Sequence, residues 1–538
     1  MNDYFASVFT AEDVNNIPEP VKIFQNEFDE HKLKQIEIHV QDVLKKLNNI
    51  KVNKSPGPDD IHAKILFELR DELANPLRKI FKLSIETGTI PQTWKDANVS
   101  PLYKKGSKNK SENYRPVSLT SVVGKLLESI IKDHIIVHLD RFNLIKGSQH
   151  GFTKGRSCLT NLLEFFEEVT KELDRGSCVD LVYLDFAKAF DKVPYRRLFN
   201  KLESHGIAGN VLNWIKSWLS GRRQQVCINK EYSDWKNVTS GVPQGSVLGP
   251  VLFVIYINDL DVDLVSKIGK FADDTKMCKS VGDINDVEIL KSDLNKLDTW
   301  AKTWQMEFNK DKCVVMHLGR SNNKFEYKLG DNLLKSSAKE RDLGVIVDHS
   351  MKFSEQCNLA VKNANSILGL IRRSIKNKNK HIIVKLYKGL VRPKLEYCVQ
   401  AWRPFLKGMI ENLEKVQHRA TRMIEECKGL DYTKRLAVAG LTSLEDRHTR
   451  GDLIEVFKMI KGISKVDYKK FFMLDDNSRT RGHKYKLVKN RSRLDIRKNF
   501  FSQRVVSEWN KLPTVVVEAE TLNSFKNRYD AYIASSRK

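Results

Sequence analysis

Apolar and polar positions change period along the chain, and the change marks out elements. Cys178–Phe186, CVDLVYLDF, is a near-continuous apolar run bounded by polar residues. That is the pattern of a central strand buried on both faces. Asp191 then precedes Pro194 and a helical run that stops near Gly206. Proline suits the first helical turn and glycine the position just past the last, so this start and stop have a physical cause. Ser246–Leu260 reads as a helix opened by glycines. Lys267–Ser280, KIGKFADDTKMCKS, reads as strand, tight turn, strand. Ahead of these, helical spacing predicts elements over Ile38–Leu47, from Ala63 to Glu86, and, as an amphipathic helix, over Gly124–Leu139. Lys51–Asp60, KVNKSPGPDD, is a loop with two prolines and a glycine. Thr87–Lys110 holds short apolar pieces (ANVSPLY) and the turn KKGSKNK. After Ser354 the spacing turns helical. Ala360, Ala364, Ile367, Leu368 and Ile371 form one stripe; Leu413, Val416, Ala420 and Met423 form another. Phe501, Val505 and Trp509 then recur every four residues. The middle thus mixes strands and helices and the tail is helix-rich, with no repeat of 20–50 residues and no low-complexity segment.

Composition narrows the class. A chain of 538 residues with 41% hydrophobic and 9% aromatic residues has enough apolar surface for a sizeable core, which excludes wholesale disorder. At roughly 100–200 residues per domain, it holds about three or four units or one multi-lobed enzyme. The longest apolar run, Val251–Ile257, is far short of the ~18 residues a membrane span needs. The start, MNDYFASVFT, has no basic stretch followed by a long apolar one, so no signal peptide is readable. Eight cysteines never form CxxC, which speaks against a disulfide scaffold or zinc ribbon and for a reducing compartment.

Charge points to a partner. The net charge is +25, and residues 351–538 carry 41 Lys+Arg against 19 Asp+Glu, so the excess sits at the back of the chain. It is densest in Arg479–Lys498, RTRGHKYKLVKNRSRLDIRK, with a second cluster at Arg372–Lys380. Tyr485, Phe500 and Phe501 interleave with the first. Such a surface suits phosphate neutralisation with base stacking, so nucleic acid is the first expected partner and an acidic membrane surface the second.

Two acidic features of the middle need an explanation. Asp185 ends the apolar run, and Asp273 and Asp274 are adjacent in the turn of a short apolar hairpin. Taken alone, each suits a cap or a turn. Together they suit shared divalent cations, because clustered carboxylates raise one another's pKa unless a cation offsets their charge. Two Mg²⁺ about 3.5–4 Å apart clamp in-line displacement at phosphorus, one activating the attacking hydroxyl and one stabilising the leaving group. With no His/Cys ligand cluster, oxygen donors favour Mg²⁺ over zinc.

The surrounding residues carry a resemblance. YLDFAKAFD (Tyr183–Asp191), SGVPQGSVLGPVLF (Ser240–Phe253) and FADD (Phe271–Asp274) resemble, in order and spacing, the polymerase motifs of reverse transcriptases. More narrowly they are similar to those of jockey-like non-LTR retrotransposons. KSPGPDDI (Lys54–Ile61), IPQTWKDANVSPLYKKG (Ile90–Gly106), NYRPVSLTS (Asn113–Ser121), QHGFTKGRSC (Gln149–Cys158), MEFNKDKC (Met306–Cys313) and DLGVIVD (Asp342–Asp348) fit the same pattern. LVRPKLEYCVQAWRP (Leu390–Pro404) and WNKLP (Trp509–Pro513) do so in the tail.

The resemblance implies an α+β, right-hand polymerase of fingers, palm and thumb, followed by a helix-rich basic C-terminal region. Its expected divisions are an N-terminal extension over 1–50, a reverse transcriptase domain over 80–348 with a fingers-like lead-in from about 51, a helical thumb over 350–430, and a basic nucleic-acid-binding region over 431–538. It implies that Asp185, Asp273 and Asp274 bind two Mg²⁺ (or Mn²⁺), with the Phe186 carbonyl as a further ligand. Lys312 stands where the family places a general acid for the leaving pyrophosphate. Arg115 and one of Lys104 and Lys105 would hold the triphosphate. Phe190 would be the steric gate that favours deoxynucleotides. Gly241, Gln244 and Gly245 form a loop expected to approach a base pair closely, with Gln244 on the template or incoming nucleotide. Arg156 is expected on the template strand, and Arg479, Arg481, Lys484, Lys486, Lys489, Arg491 and Arg493 on nucleic acid.

The implied reaction is RNA-templated DNA synthesis from a primer or target DNA and dNTPs, acting in the nucleus with a cytoplasmic RNA-bound phase and without secretion, membrane or zinc. No ribonuclease H block, CCHC knuckle or endonuclease block is read, so nicking of target DNA is not expected from this chain. The alternatives are a catalytically silent, domesticated RNA-binding protein and a structural interaction protein built on the helical tail.

Overall fold

The computed structural model describes residues 1–24, 29–475 and 482–536. Its strands include β1 (Ala97–Tyr103), β2 (Tyr114–Leu119), β3 (Val179–Leu184), β4 (Arg222–Ile228), β5 (Lys267–Phe271), β6 (Asp274–Ser280), β7 (Val314–Leu318) and the hairpin β8 (Lys339–Asp342) and β9 (Val345–Asp348). The main helices are α1 (Val122–Arg141), α2 (Cys158–Arg175), α3 (Tyr195–Ser204), α4 (Gly249–Tyr256), α5 (Ile284–Thr303), α6 (Ser354–Ser374), α7 (Lys407–Arg422), α8 (Leu444–Ile460), α9 (Phe501–Asn510) and α10 (Leu522–Ser536).

Two sheets divide the work. In the first, β3 lies between β7 and β6, both antiparallel to it, with β5 on the outer side of β6. This is the sheet expected as the palm. Alternation along β3 explains why it reads as apolar throughout. Val182 and Leu184 enter one core with α1, α3, α4 and α5. Val179, Leu181 and Tyr183 face a second core with α2 and the C-terminal helices. The second sheet pairs β1 antiparallel with β2 and parallel with β4. Its β2 and the loop after β1 carry Arg115 and Lys104.

Several expectations change. Ala63–Glu86 is two helices, Ala63–Glu68 and Arg70–Thr87, parted at Leu69. Helix α1 is not amphipathic. Leu126, Leu127, Ile130, Ile131 and Ile135 bury it on more than one side, and even Glu128 is enclosed. The Glu128 carboxylate accepts the Val247 and Leu248 N–H groups at 2.7 and 3.3 Å, ahead of α4. Glycine-opened Ser246–Leu260 is helical only over α4, since the stretch before it is this hydrogen-bonded loop. The tail expected as a thumb over 350–430 plus a separate region over 431–538 shares a single hydrophobic core. Trp402, Leu413, Phe457, Phe501, Trp509 and Phe525 pack in it together with Phe165 and Phe166 of α2.

Candidate active site

The hairpin β5–β6 turns through Ala272 and Asp273, because Phe271 pairs directly with Asp274. Ala272 has φ +54°, a left-handed conformation that an L-residue holds only against cost. Gln149 holds it there. The side-chain oxygen of Gln149 accepts the Ala272 N–H at 3.0 Å and the Gly151 N–H at 2.8 Å. A Cβ on Gly151 would stand 2.4 Å from the Ala272 nitrogen, so the loop Gln149–Gly151 lies directly on the acidic turn. Leu184 is registered against Thr275. The next residues along the two strands are Asp185 and Asp274, so the acids at the strand end and in the turn face each other across β3 and β6.

Asp185 is pinned from its other side. Its carbonyl accepts the Asn309 N–H at 2.6 Å, and the Ala187 N–H donates to the Glu307 carbonyl at 2.7 Å. Phe186 pairs with Phe308, their rings stacked at 4.4 Å. The same loop brings Lys312 round, and its ammonium donates to the Asp185 carboxylate. The two residues named for catalysis from widely separated motifs therefore form an ion pair.

The field at this point is mixed. Desolvation, then the Asp185 charge, raises the Asp273 carboxyl above its usual range. Asp274 is pushed up to about 6 by desolvation and by the Asp273, Asp185 and Asp342 carboxylates. Around them stand cations. Lys104 is lowered by desolvation and by Lys312 and Arg115, against the pull of Asp185. Lys188 is lowered by desolvation, with Asp191 opposing and Lys312 and Arg115 adding to the effect. Lys104, Arg115, Lys188 and Lys312 thus share one electrostatic neighbourhood beside the carboxylates. Of the lysine pair it is Lys104 that both senses Asp185 and acts on Asp273. Lys105 is exposed on the turn. A cavity of about 310 Å³ adjoins the acids and reaches the hairpin β8–β9; Asp185, Asp274, Lys276, Lys312, Glu340 and Asp342 line it.

The donor set is oxygen only: three carboxylates and a backbone carbonyl. That suits a hard divalent cation and not zinc. Among the described residues, no three His, Cys, Asp or Glu side chains close into a preformed cage. Instead Lys312 holds the Asp185 carboxylate and supplies its counter-charge.

Phe190 stacks on Phe253 at 4.5 Å and meets Phe152 edge-on at 6.3 Å. Its ring is therefore fixed by packing. Phe152 is 54% exposed beside it, at φ +53°, an aromatic that the sequence reading passed over. Gln244 donates from its amide to both Asp191 oxygens, at 3.4 and 3.3 Å. Desolvation lifts that enclosed carboxyl to about 6.

The loop glycines make their close approach within the chain itself. A Cβ on Gly241 would lie 2.6 Å from the Asp191 carbonyl oxygen, and one on Gly245 would lie 2.5 Å from that of Ser118. Both have positive φ, +87° and +116°. The close approach is to the chain's own backbone, and it seats Gln244 between Asp191 and β2.

Arg156, expected on the template strand, is engaged within the chain. Its guanidinium donates through Nη1 to the carbonyls of Gly147 and, at 2.7 Å, of Gln149, and through Nε to that of Lys465 at 3.0 Å, which ties it to its own loop and to the tail. Arg493 is likewise engaged. Its backbone N–H donates to the Asp174 carboxylate at 2.8 Å and its guanidinium to the Asp174 and Leu173 carbonyls. Lys489 donates to Ser507 at 3.0 Å, and the Lys484 ammonium lies 5.4 Å from the Tyr485 ring centre. Lys486 has interactions of its own, and Arg491 is exposed. Arg479 and Arg481 lie outside the described residues.

Comparison with known proteins gives the class. Residues 103–361, which hold the acids, Lys104, Arg115, Phe190, Gln244 and Lys312 but little of β1, match the family model for reverse transcriptase (RNA-dependent DNA polymerase). Over those residues the chain is similar to reverse transcriptases, and the four-stranded core of β7, β3, β6 and β5 with its paired acids lies inside the matched stretch.

The relatives narrow it further. The chain is 25% identical over 407 residues to a probable RNA-directed DNA polymerase from transposon BS of Drosophila melanogaster, covering 72% of this chain and 45% of that one. It is 27% identical over 391 residues to that from transposon X-element of the same organism, covering 70% and 42%. It is 25% identical over 401 residues to the RNA-directed DNA polymerase from mobile element jockey, again of Drosophila melanogaster, covering 72% and 44%. The similarity to jockey-like non-LTR retrotransposon polymerases therefore extends over most of the chain, and the chain spans less than half the length of these relatives. Among solved structures, apo telomerase from Candida Tropicalis aligns over 73% of this chain and 67% of that one, at 10% identity and a TM-score of 0.39.

Proposed function

We propose that the chain is the RNA-directed DNA polymerase of a mobile element, extending a DNA primer on an RNA template. The observation that carries this reading is the convergence of three carboxylates from two motifs with four cations: Lys188 from the motif of Asp185, and Lys104, Arg115 and Lys312 from three others. Divalent cations, Mg²⁺ or Mn²⁺, held by Asp185, Asp273, Asp274 and the Phe186 carbonyl would acidify the primer hydroxyl and take up charge on the pyrophosphate. The chain's own groups do the rest. Lys104, Arg115 and Lys188 bind the triphosphate and offset charge developing on the transferred phosphoryl group. Lys312 moves from Asp185 to the leaving pyrophosphate, where its ammonium supplies a proton. The Phe190 ring blocks a ribose 2′-hydroxyl, and Gln244, anchored on Asp191, lines the nucleotide site.

The test is primer extension by purified protein on a DNA-primed RNA template with Mg²⁺ and dNTPs. Synthesis that vanishes in Asp273→Asn, with RNA binding kept within a few-fold, is the expected result. A folded, RNA-binding wild type that never extends a primer would favour a silent RNA-binding protein instead.

A further inference from the structure

Residues 1–16 run as a strap across the nucleotide site. The Gln224 side-chain amide donates to the Asn2 side-chain oxygen at 3.1 Å, and the Asn2 amide donates to the Asp234 carbonyl at 2.8 Å. Phe5 is buried against Val99 of β1 and Val226 of β4, with Tyr114 of β2 beside it. The strap thereby grips the sheet that presents Lys104 and Arg115. Further along, the Thr10 N–H donates to the Ser240 hydroxyl and the Thr10 hydroxyl to the Lys192 carbonyl, both at 2.8 Å. The Ser240 hydroxyl in turn donates to the Asp191 carbonyl at 2.8 Å. The Glu12 carboxylate accepts the Arg196 and Arg197 N–H groups at the start of α3, both at 3.0 Å. The buried Arg197 returns bonds to the Asp13 and Asn16 carbonyls at 2.9 and 2.8 Å. Gln305 takes the Asp13 N–H at 3.0 Å, two residues before the loop that holds Ala187. Sixteen residues so tie together the sheet, the Lys188–Lys192 turn, the Ser240–Gln244 loop and the approach to Lys312.

One contact touches a group of the site directly. The Lys188 ammonium lies 5.3 Å from the centre of the Tyr4 ring. Lys188 also has φ +52°, so its backbone is held in a conformation that a lysine rarely adopts. The strap thus fixes the one triphosphate cation that leaves from a strained turn. We propose that Tyr4 is a positioning residue of the nucleotide site, holding the Lys188 ammonium towards the triphosphate, and that the strap as a whole orders the elements that receive the dNTP. This rests on the polymerase reading given above.

The test uses the full chain and varies the dNTP concentration in primer extension. Tyr4→Ala removes the ring and is expected to raise KM for dNTP roughly 3- to 10-fold, the range of a partly exposed cation–aromatic contact, with kcat and template–primer affinity held within twofold. Tyr4→Phe keeps the ring face and is expected to restore KM. Combined with Lys188→Ala, Tyr4→Ala is expected to add little further loss, because both act through one ammonium. Equal loss in KM and kcat with a lowered melting temperature would make Tyr4 merely structural. An unchanged KM, or fully additive losses, would remove the assignment. Wild-type extension that depends on Asp273 keeps the polymerase reading standing whichever way Tyr4 falls. If the wild type does not turn over, equilibrium binding of dTTP to the protein–RNA–primer complex gives the same comparison of Tyr4→Ala with wild type.

Discussion

Replacing Lys276 by methionine tests how the hairpin β8–β9 is held beneath the paired acids Asp273 and Asp274. Lys276 lies two residues beyond Asp274 on the same face of β6 and is registered against Tyr183. Its ammonium bonds the Asp342 carboxylate at 2.5 Å and sits 4.8 and 5.1 Å from the Phe165 and Phe166 ring centres. Both side chains are almost wholly enclosed, at 4% and 5% exposed. Methionine fills the space of the lysine stem but leaves the Asp342 carboxylate buried without a counter-charge, which costs about 3–5 kcal/mol. For a cooperative unit of about 150–250 residues, each kcal/mol is worth about 2–4 °C, so the melting temperature is expected to fall by roughly 6–20 °C. The double variant Lys276→Met/Asp342→Leu removes both charges and is expected to recover most of that loss. Thermal melts of the four proteins in the cycle read the coupling. A fall of less than about 3 °C in the single variant, or a double variant as unstable as the sum of the singles, would refute the buried-pair argument.

Three further outcomes follow from particular contacts. Phe190→Val shortens the ring wedged between Phe253 and Phe152 and is expected to raise ribonucleotide incorporation about tenfold or more, each 1.4 kcal/mol of relieved clash being a factor of ten; unchanged sugar selectivity in primer extension would remove the gate. Glu164 is driven down to about 2 by hydrogen bonds from His150 and Lys470 that outweigh its desolvation. Its folded pKa is depressed, so its stabilisation is complete above about pH 4.5 and is lost as pH falls towards 2, about 3 kcal/mol in all. Melting temperature measured from pH 6 down to 3 is therefore expected to drop less steeply in Glu164→Gln, and an equal slope would count against the pairing. Arg491→Ala is expected to lower the log–log salt slope of RNA binding by about 0.7–0.9, whereas Arg493→Ala lowers stability and leaves that slope alone. Equal effects on the slope would place both on nucleic acid.

What the sequence made legible was what period and motif encode. A strand buried on both faces can hardly be anything but apolar, so β3 stood out, and the acid that ends it stood out with it. The β5–β6 hairpin was readable because two acids interrupt a short apolar pair of strands. The second sheet was not. Strand β4, RRQQVCI, opens with four consecutive polar residues and pairs in parallel with a strand far away in the chain, so local spacing gave no sign of it. Lys188 was inside a quoted motif and was passed over because its significance lies in a backbone turn and an aromatic from the start of the chain. Gly241 and Gly245 were rightly marked as places of close approach, but a glycine reports only that something comes near. Here that partner is the protein's own carbonyl oxygen.

The basic tail shows most clearly where charge counting ends. Residues 351–538 carry a large positive excess, and one reading assigned it to nucleic acid. Helix α2, facing that tail, holds Glu164, Glu167, Glu168, Glu172 and Asp174. Lys470 pairs with Glu164, Arg497 with Glu167 at 2.6 Å, and Arg493 with Asp174. Arg497 and Glu167 are both enclosed, so these bonds are formed in a low-dielectric seam where an unpaired charge is costly. The seam lies on the face of α2 whose apolar residues join the tail's core, so charge pairing and hydrophobic burial fix the same docking. Part of the excess is therefore a brace that sets the tail against the back of the palm sheet. The cations left exposed, Arg491 among them, are the ones that would face a template on the proposed reading, and the brace decides where on the molecule they stand.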